Sequence, residues 1–300
     1  MIDNAICISE LVSIVIPTYA RPDNLVRAIE SVLSQTYKPI EIIVVDDNGR
    51  GTPYQVETES VLKPYIDKNQ VKYLTHEKNK NGSAARNTGF RASRGEYVCF
   101  LDDDDVFTPT KIEKQVARLE EAREFDACYC NTKIFGKKRD IEWHCELEGD
   151  LSLQILMRKN HFNSSAVLFR REAIEDINGW DERFNRHQDL EMQIRFFRNH
   201  KICVASPDEL LLEKYTTPNV VSRNPKKSVE FREFFLQEMK EDIEKSGHER
   251  EIYKCQYEDL CAGLLASGER KLGLKYFFKI FSYGVPKKIV WAKLAYYFIK

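Results

Sequence analysis

The sequence predicts an α/β protein: a mostly parallel sheet flanked by helices, followed by a helical extension. Three observations carry this. Apolar runs recur at residues 12–16, 40–45 and 97–101, as expected of strands covered on both faces. Segments of helical period alternate with them, which is the pattern of a parallel sheet. Beyond about Lys226 the chain is helical in pattern and strongly charged.

Residues 12–16 form the first strand. Pro17 and Pro22 then break the chain, and Leu25, Val26, Ile29, Val32 and Leu33 recur at helical spacing after the start signals Pro22 and Asp23. The second strand, 40–45, ends in Asp46-Asp47. A helix around 54–68, a short strand at 71–74 and a helix at 83–92 follow, with Gly95 suited to the stop. The strand at 97–101 runs directly into Asp102, Asp103, Asp104 and Asp105. A helix at 111–123 and a strand at 126–131 complete the alternation. After Lys137 the pattern loosens, with a strand at 166–169, a turn at Gly179-Trp180-Asp181 and a helix at 190–197. Pro207, Pro218 and Pro225 punctuate a loop-rich boundary.

The 300 residues suit one large domain, or one domain with a helical appendix. With 46 Lys and Arg against 47 Asp and Glu, the net charge is -1, which excludes a globally basic nucleic-acid binder. Residues 1–10 carry Asp3 and Glu10 and no basic n-region, so no secretory signal is expected. No apolar run approaches the roughly 18 residues of a membrane span, and a cytoplasmic protein is expected. Of the 8 cysteines none forms a C-x-x-C pair. Cys128 and Cys130 share a strand face, and only Cys145 with His144 could add soft ligands, so reduced thiols are the expectation.

Two acidic clusters end two apolar strands, where ligands bind in an open parallel sheet. Adjacent carboxylates disfavour mutual ionisation. Four in a row therefore need a counter-charge, and a hard divalent cation shared with a diphosphate supplies it. Helix capping accounts for one acid, such as Asp105, and not for four. Asp46-Asp47 also reads as ordinary turn chemistry before Asn48-Gly49. No G-x-x-x-x-G-K-[ST], no G-x-G-x-x-G after the first strand and no G-x-S-x-G is present.

The ordered segments 12–19, 28–36, 41–48, Asn81-Gly82 with Ala85-Arg86-Asn87-x-Gly89, 95–97 and 100–105 resemble the family 2 glycosyltransferases, inverting enzymes of the GT-A fold. The segments 164–171, 178–182 and 187–191 resemble the family's acceptor side. The likeness runs from about Val12 to Ser222. It implies a catalytic domain at 1–222, with a nucleotide-sugar half to about 135 and an acceptor half at 136–222.

By this resemblance Pro17 and Tyr19 lie against the nucleoside, and Asp47 accepts from uracil N3–H, favouring UDP- or dTDP-sugars. Arg21 and Arg86 neighbour the diphosphate or the base; surface ion pairing is their alternative. Asp102 and Asp103 approach the ribose or the metal, Mn²⁺ or Mg²⁺. Four consecutive aspartates leave the register open by one, and Asp104 ends both readings of the metal motif. Asp189 resembles the catalytic base, with Gln188 where a first acid is commoner. Its alternative is a helix cap. Trp180, Asp181 and Glu182 resemble an acceptor-binding segment, against a core Trp beside turn acids; Asp181 is second choice as base. The family often carries a His near 215–222, where this chain has Thr216, Thr217, Pro218 and Asn219. The implied reaction transfers a hexosyl or N-acetylhexosaminyl group to a glycan or lipid-linked glycan in bacterial surface-polysaccharide synthesis. The readings weighed against it are a sugar nucleotidyltransferase and a receiver-like signalling module.

Residues 223–300 form the helical region. From Arg270 the chain carries eight cations and no acid, so this tail holds +8 and the remainder -9. Apolar residues, many of them aromatic, are interleaved, among them Tyr276, Phe277, Phe278, Phe281, Trp291, Tyr296, Tyr297 and Phe298. The pattern suits a helix on the inner face of an anionic membrane. It equally suits helices packed on the catalytic domain or on a second subunit in a homodimer.

Overall fold

The computed structural model describes residues 7–136, 139–160, 162–215 and 224–299. The chain divides into two compact units: 1–151 with 162–220, and 152–161 with 221–300. The boundary near 220 lies beside the expected break at 222/223. In addition, the short stretch 152–161 groups with the C-terminal helices.

The first unit opens with β1 (Ile8–Thr18), α1 (Pro22–Leu33), β2 (Ile40–Asp46), α2 (Pro53–Asp67), β3 (Lys72–Thr75), α3 (Gly82–Ala92) and β4 (Gly95–Phe100). β1 pairs parallel with both β2 and β4, and β2 pairs parallel with β3. Val12, Ile14 and Ile16 on one side, and Val15 on the other, are fully buried, which explains why β1 reads as continuously apolar rather than alternating. α3 can lie close on the sheet because Gly89 has no Cβ; one there would stand 2.2 Å from Val15 Cγ1.

β5 (Asp105–Phe107), α4 (Lys111–Glu121), β6 (Ala127–Tyr129), β7 (Asn131–Phe135) and β8 (Ile141–Trp143) come next. After α5 (Ser152–Leu156) in the second unit, the first resumes with β9 (Val167–Arg170), α6 (Arg171–Asp176), α7 (Gln188–Phe196), β10 (Ile202–Val204) and β11 (Leu210–Tyr215). The main sheet has the order β10-β6-β9-β4-β1-β2-β3, and β9 alone runs antiparallel to its neighbours. A second sheet, β5-β11-β7-β8, was not foreseen: the expected strand at 126–131 splits into β6 and β7, which join different sheets. Asp105 is not a helix cap, because it begins β5 and Thr110 precedes α4.

The second unit contains α8 (Pro225–Glu238), α9 (Lys240–Lys245), α10 (Glu249–Ala266), α11 (Arg270–Ile280) and α12 (Lys288–Ile299). Short α5 is tied to it where Gln256 Nε2 donates to the Leu156 carbonyl at 2.6 Å. No helix among the described residues is long and apolar enough to cross a membrane. Every described cysteine is a free thiol, and most are buried.

Candidate active site

The carboxyl ends of β1, β2 and β4 lie side by side, so residues far apart in sequence meet there. Thr18, at the end of β1, donates through Oγ1 to Asp103 at 2.8 Å, and the Tyr19 amide approaches the same oxygen at 3.4 Å. Arg21 then reaches across to Asp103 at 3.3 Å and to Asp104 at 2.7 Å. Burial pushes the Asp103 carboxyl up to about 6. Tyr19 remains exposed at the mouth and Pro17 half-buried, so both are open to a ligand.

Asp47 sits differently. It is 3% exposed. One carboxylate oxygen takes the Lys80 amide at 2.8 Å and His76 Nδ1 at 2.7 Å. The other takes the Asn81 amide and Asn79 Nδ2, each at 2.9 Å. A carboxylate has about four acceptor sites, and the loop before α3 uses them. Asp46 beside it is buried and accepts from Tyr73 and the Asn48 amide. Burial raises its pKa.

α3 is the site's frame. Asn81 caps it by accepting from the Ala84 amide at 3.0 Å, while its own amide donates to the Glu182 carbonyl at 2.8 Å. Asn87 exchanges two bonds of 2.8 Å with the Trp180 backbone and donates to the Glu182 carboxylate at 2.9 Å. Gly179 lets this docking occur: its φ is +67°, and a Cβ would stand 2.6 Å from Asn87 Oδ1.

Arg86, also on α3, is the central cation. Its guanidinium donates to Asp102 at 2.7 Å and to Gln188 Oε1 at 3.2 Å, and lies 4.7 Å from the Trp180 ring centroid. Gln188 is itself fixed by donating to the Phe184 carbonyl at 2.8 Å. Burial opposes ionisation of Asp102, but Arg86 and Lys214 outweigh it and hold its pKa below the ordinary value.

Asp189 stands in the first turn of α7, after the left-handed His187 at the cap position. It is therefore not the cap. Its Oδ1 is buried and has no hydrogen-bond partner among the described residues. Burial raises its pKa; Asp102 pushes the same way, and Arg86 and Lys214 oppose. An unpartnered carboxylate oxygen with raised basicity, in the field of Asp102 and Arg86, can accept a proton.

Lys214 on β11 escaped the sequence reading. Its Nζ lies 3.3 Å from Asp105 and 3.9 Å from Asp102. Burial pushes the Asp105 carboxyl up to about 7, and Ser165 donates to it at 2.7 Å. The available signal is a cation two residues after the apolar run Leu210-Leu211-Leu212, on the same strand. In the sequence Gln188, the partner of Arg86, stands out only as the residue in place of a first acid.

The acceptor segment needs correction. Trp180 is 3% exposed and packs edge-on against Phe100 at 5.5 Å. Its ring is part of the core, so it offers no open face to a sugar. Partial burial works against the Asp181 carboxylate, but its hydrogen bonds with Arg183 prevail and lower its pKa. That favours Asp189 over Asp181 as a base. Glu182 is exposed and holds Asn87. Of the stretch 215–222, where the resemblance places a His that this chain lacks, only Tyr215 lies within the described residues.

Among the described residues no group of three or more His, Cys, Asp or Glu side chains forms a metal cage. Asp103 and Asp105 are turned to Thr18 and Ser165. Asp102 and Asp104, paired with Arg86 and Arg21 at 2.7 Å each, supply hard oxygen donors. One or two carboxylates completed by phosphate oxygens is a usual arrangement for Mg²⁺, so the donor set fits Mg²⁺ or Mn²⁺ shared with a diphosphate.

Residues 13–178 match the sequence profile described as Glycosyl transferase family 2. The chain belongs to that family. This removes the nucleotidyltransferase and receiver alternatives. A family relative, an uncharacterized glycosyltransferase of Rickettsia prowazekii (strain Madrid E), is 32% identical over 212 residues, covering 66% of this chain and 64% of that protein. The amylovoran biosynthesis glycosyltransferase AmsB of Erwinia amylovora is 26% identical over 253 residues, 80% of each chain. The matched stretch covers only 29% of the Rickettsia bellii (strain RML369-C) relative. The crystal structure of S. aureus TarS 1-349 in complex with UDP-GlcNAc superposes with a TM-score of 0.63 at 15% identity, over 95% of this chain and 91% of that one. The fold of this family 2 chain is thus GT-A, a mixed α/β core with a C-terminal helical region.

Proposed function

We propose that the chain is an inverting transferase that moves a hexosyl or N-acetylhexosaminyl group from a UDP-sugar, or a dTDP-sugar, to a hydroxyl of a glycan or lipid-linked glycan in bacterial surface-polysaccharide synthesis. The observation that carries the reading is the buried, unpartnered Oδ1 of Asp189. AmsB acts in polysaccharide biosynthesis and TarS binds UDP-GlcNAc, which supports the donor and pathway class.

In this reading Tyr19 and Pro17 pack on the nucleoside. Asp47 takes uracil N3–H when one of its four donors yields; Asn79 can yield its carboxylate bond and keep its Nδ2 on the Asp47 carbonyl, 3.1 Å away. Arg21 and Arg86 neutralise the diphosphate. Asp189 takes the proton of the acceptor hydroxyl, whose oxygen attacks the anomeric carbon opposite the leaving diphosphate and inverts it. Asp104 and Asp102 would hold Mn²⁺ or Mg²⁺, which when bound stabilises the leaving diphosphate as a Lewis acid. Trp180 and Asn87 position the α3 frame and do not touch the acceptor.

The test is release of nucleoside diphosphate from a panel of nucleotide sugars with Mn²⁺ and candidate acceptors. Turnover with UDP- or dTDP-sugars, lost in Asp189→Asn and Asp104→Ala, supports the proposal. No turnover with any donor, or full activity in both variants, removes it.

A further inference from the structure

The second unit carries a feature that sugar transfer does not use. Within it the acids lie between Glu230 and Glu269, whereas residues 270–300 hold eight cations and no acid. Lys279 pairs with Glu233 at 2.9 Å and Lys287 with Glu258 at 3.4 Å. Arg270, Lys271, Lys275 and Lys288 are exposed and make no ion pair among the described residues.

The exposed apolar residues cluster on the same two helices and their connection. Phe278 is 62% exposed, Val285 69%, Ile289 64% and Tyr296 53%. A helix turns about 100° per residue. On α12 this sets Lys288, Ala292, Ala295 and Tyr296 on one side, flanked by Ile289 and Trp291. All six are exposed. Val290, at 3% exposed, marks the inward side. The outward face of α12 is therefore apolar and aromatic, with a lysine at its start. Trp291 is held edge-on to Phe277 at 4.7 Å, which fixes its ring on the surface without burying it.

We infer that α11, the 281–287 connection and α12 form a docking face for an anionic lipid bilayer. Aromatic rings enter the headgroup boundary, and Arg270, Lys271, Lys275 and Lys288 meet the lipid charge. Charge complementarity selects this occupant. The exposed Arg270, Lys271, Lys275 and Lys288 would repel the same four cations on a second copy of this face, while an anionic leaflet attracts them. Tyr and Trp with Lys at the rim are the residues that settle in a membrane interface.

The experiment is flotation of the full chain with phosphatidylcholine vesicles, with or without about a third phosphatidylglycerol. Binding to the anionic vesicles alone is expected, with a blue shift of tryptophan emission that Trp291→Phe removes. Reversing Lys271, Lys275 and Lys288 to Glu should weaken binding by at least about a hundredfold, the loss expected from removing three cations alone. Ile289→Ser with Tyr296→Ser should weaken it by about tenfold or more. Circular dichroism and release of diphosphate from the donor should stay unchanged in both. No binding to either vesicle, equal binding to both, or binding insensitive to the charge reversals overturns the inference. So does sedimentation of the full chain as a dimer that the Ile289 and Tyr296 substitutions dissociate.

Discussion

The strand-end site and the last two helices are both rich in charge and handle it in opposite ways. At the site, Asp102 to Asp105 are interleaved with Arg21, Arg86 and Lys214, at separations from 2.7 to 3.9 Å. Charges fixed this way in a poorly hydrated site act on a ligand without reorganising first. On α11 and α12 the charge has one sign, and much of it faces solvent. Such charge acts at a distance and weakens with salt. A net charge of -1 conceals both arrangements.

The hardest test of the interlocked site is Asp189→Asn. An amide cannot take the acceptor proton, so kcat is expected to fall about 10²–10⁴-fold, with donor KM little changed. The melting temperature should hold or rise, since a buried carboxylate would be replaced by a neutral group. In the unaltered protein, burial and Asp102 raise the Asp189 pKa. The base works only when ionised. kcat/KM should therefore fall as pH drops through a value above the ordinary carboxylate range, and a plateau extending below pH 4 would contradict the assignment.

Next in size is Arg86→Lys. A lysine keeps the charge but lacks the fork that reaches Asp102 and Gln188 together beside the Trp180 ring. A loss of about tenfold or more in kcat/KM is expected. If Lys restores full activity where Ala does not, only charge matters and the fork geometry is irrelevant.

The parallel strands and α1 to α4 were legible because burial on both faces leaves continuous apolar runs. Expected boundaries there fall within a few residues, as for β2 at 40–45 against Ile40–Asp46. The second sheet was not legible. Its strands are three to six residues long, and their pairing is set by tertiary contact rather than period. At the site, the acids that end strands were legible by position. Lys214 was not, since a lysine in a strand reads as an ordinary surface residue until the fold turns it toward Asp105. Trp180 misled because the pattern Gly-Trp-Asp marks a turn and cannot tell which way the ring points.

A pH measurement sharpens the contrast between the two regions. Asp105 titrates at about 7 when folded, against about 3.9 unfolded. Between those values the folded state binds a proton that the unfolded chain does not. This contribution to stability therefore falls as pH rises through the window. Asp105→Asn should flatten that slope, raising the melting temperature at pH 8 by a few degrees relative to pH 5, on the order of 5 °C. An unchanged slope would mean that Lys214 keeps Asp105 ionised throughout.

The smallest effect is expected in the second unit. Glu233 receives Lys279 at 2.9 Å and the Tyr276 hydroxyl at 2.8 Å, and Lys279 lies 4.2 Å from the Tyr257 ring. Partial burial works against the Glu233 carboxylate, but Lys279 and Tyr276 more than offset it and lower the pKa. A depressed pKa contributes stability that is present above the unfolded value and lost as pH falls through the folded one. The pair is partly exposed, so Glu233→Gln should cost only about 0.5–1 kcal/mol at pH 7, and less as the pH falls through the lowered Glu233 pKa. A larger loss would mean that α11 depends on this contact to dock on α8 and α10. The cationic face would then require it too, and Glu233→Gln would weaken vesicle binding although it adds net positive charge.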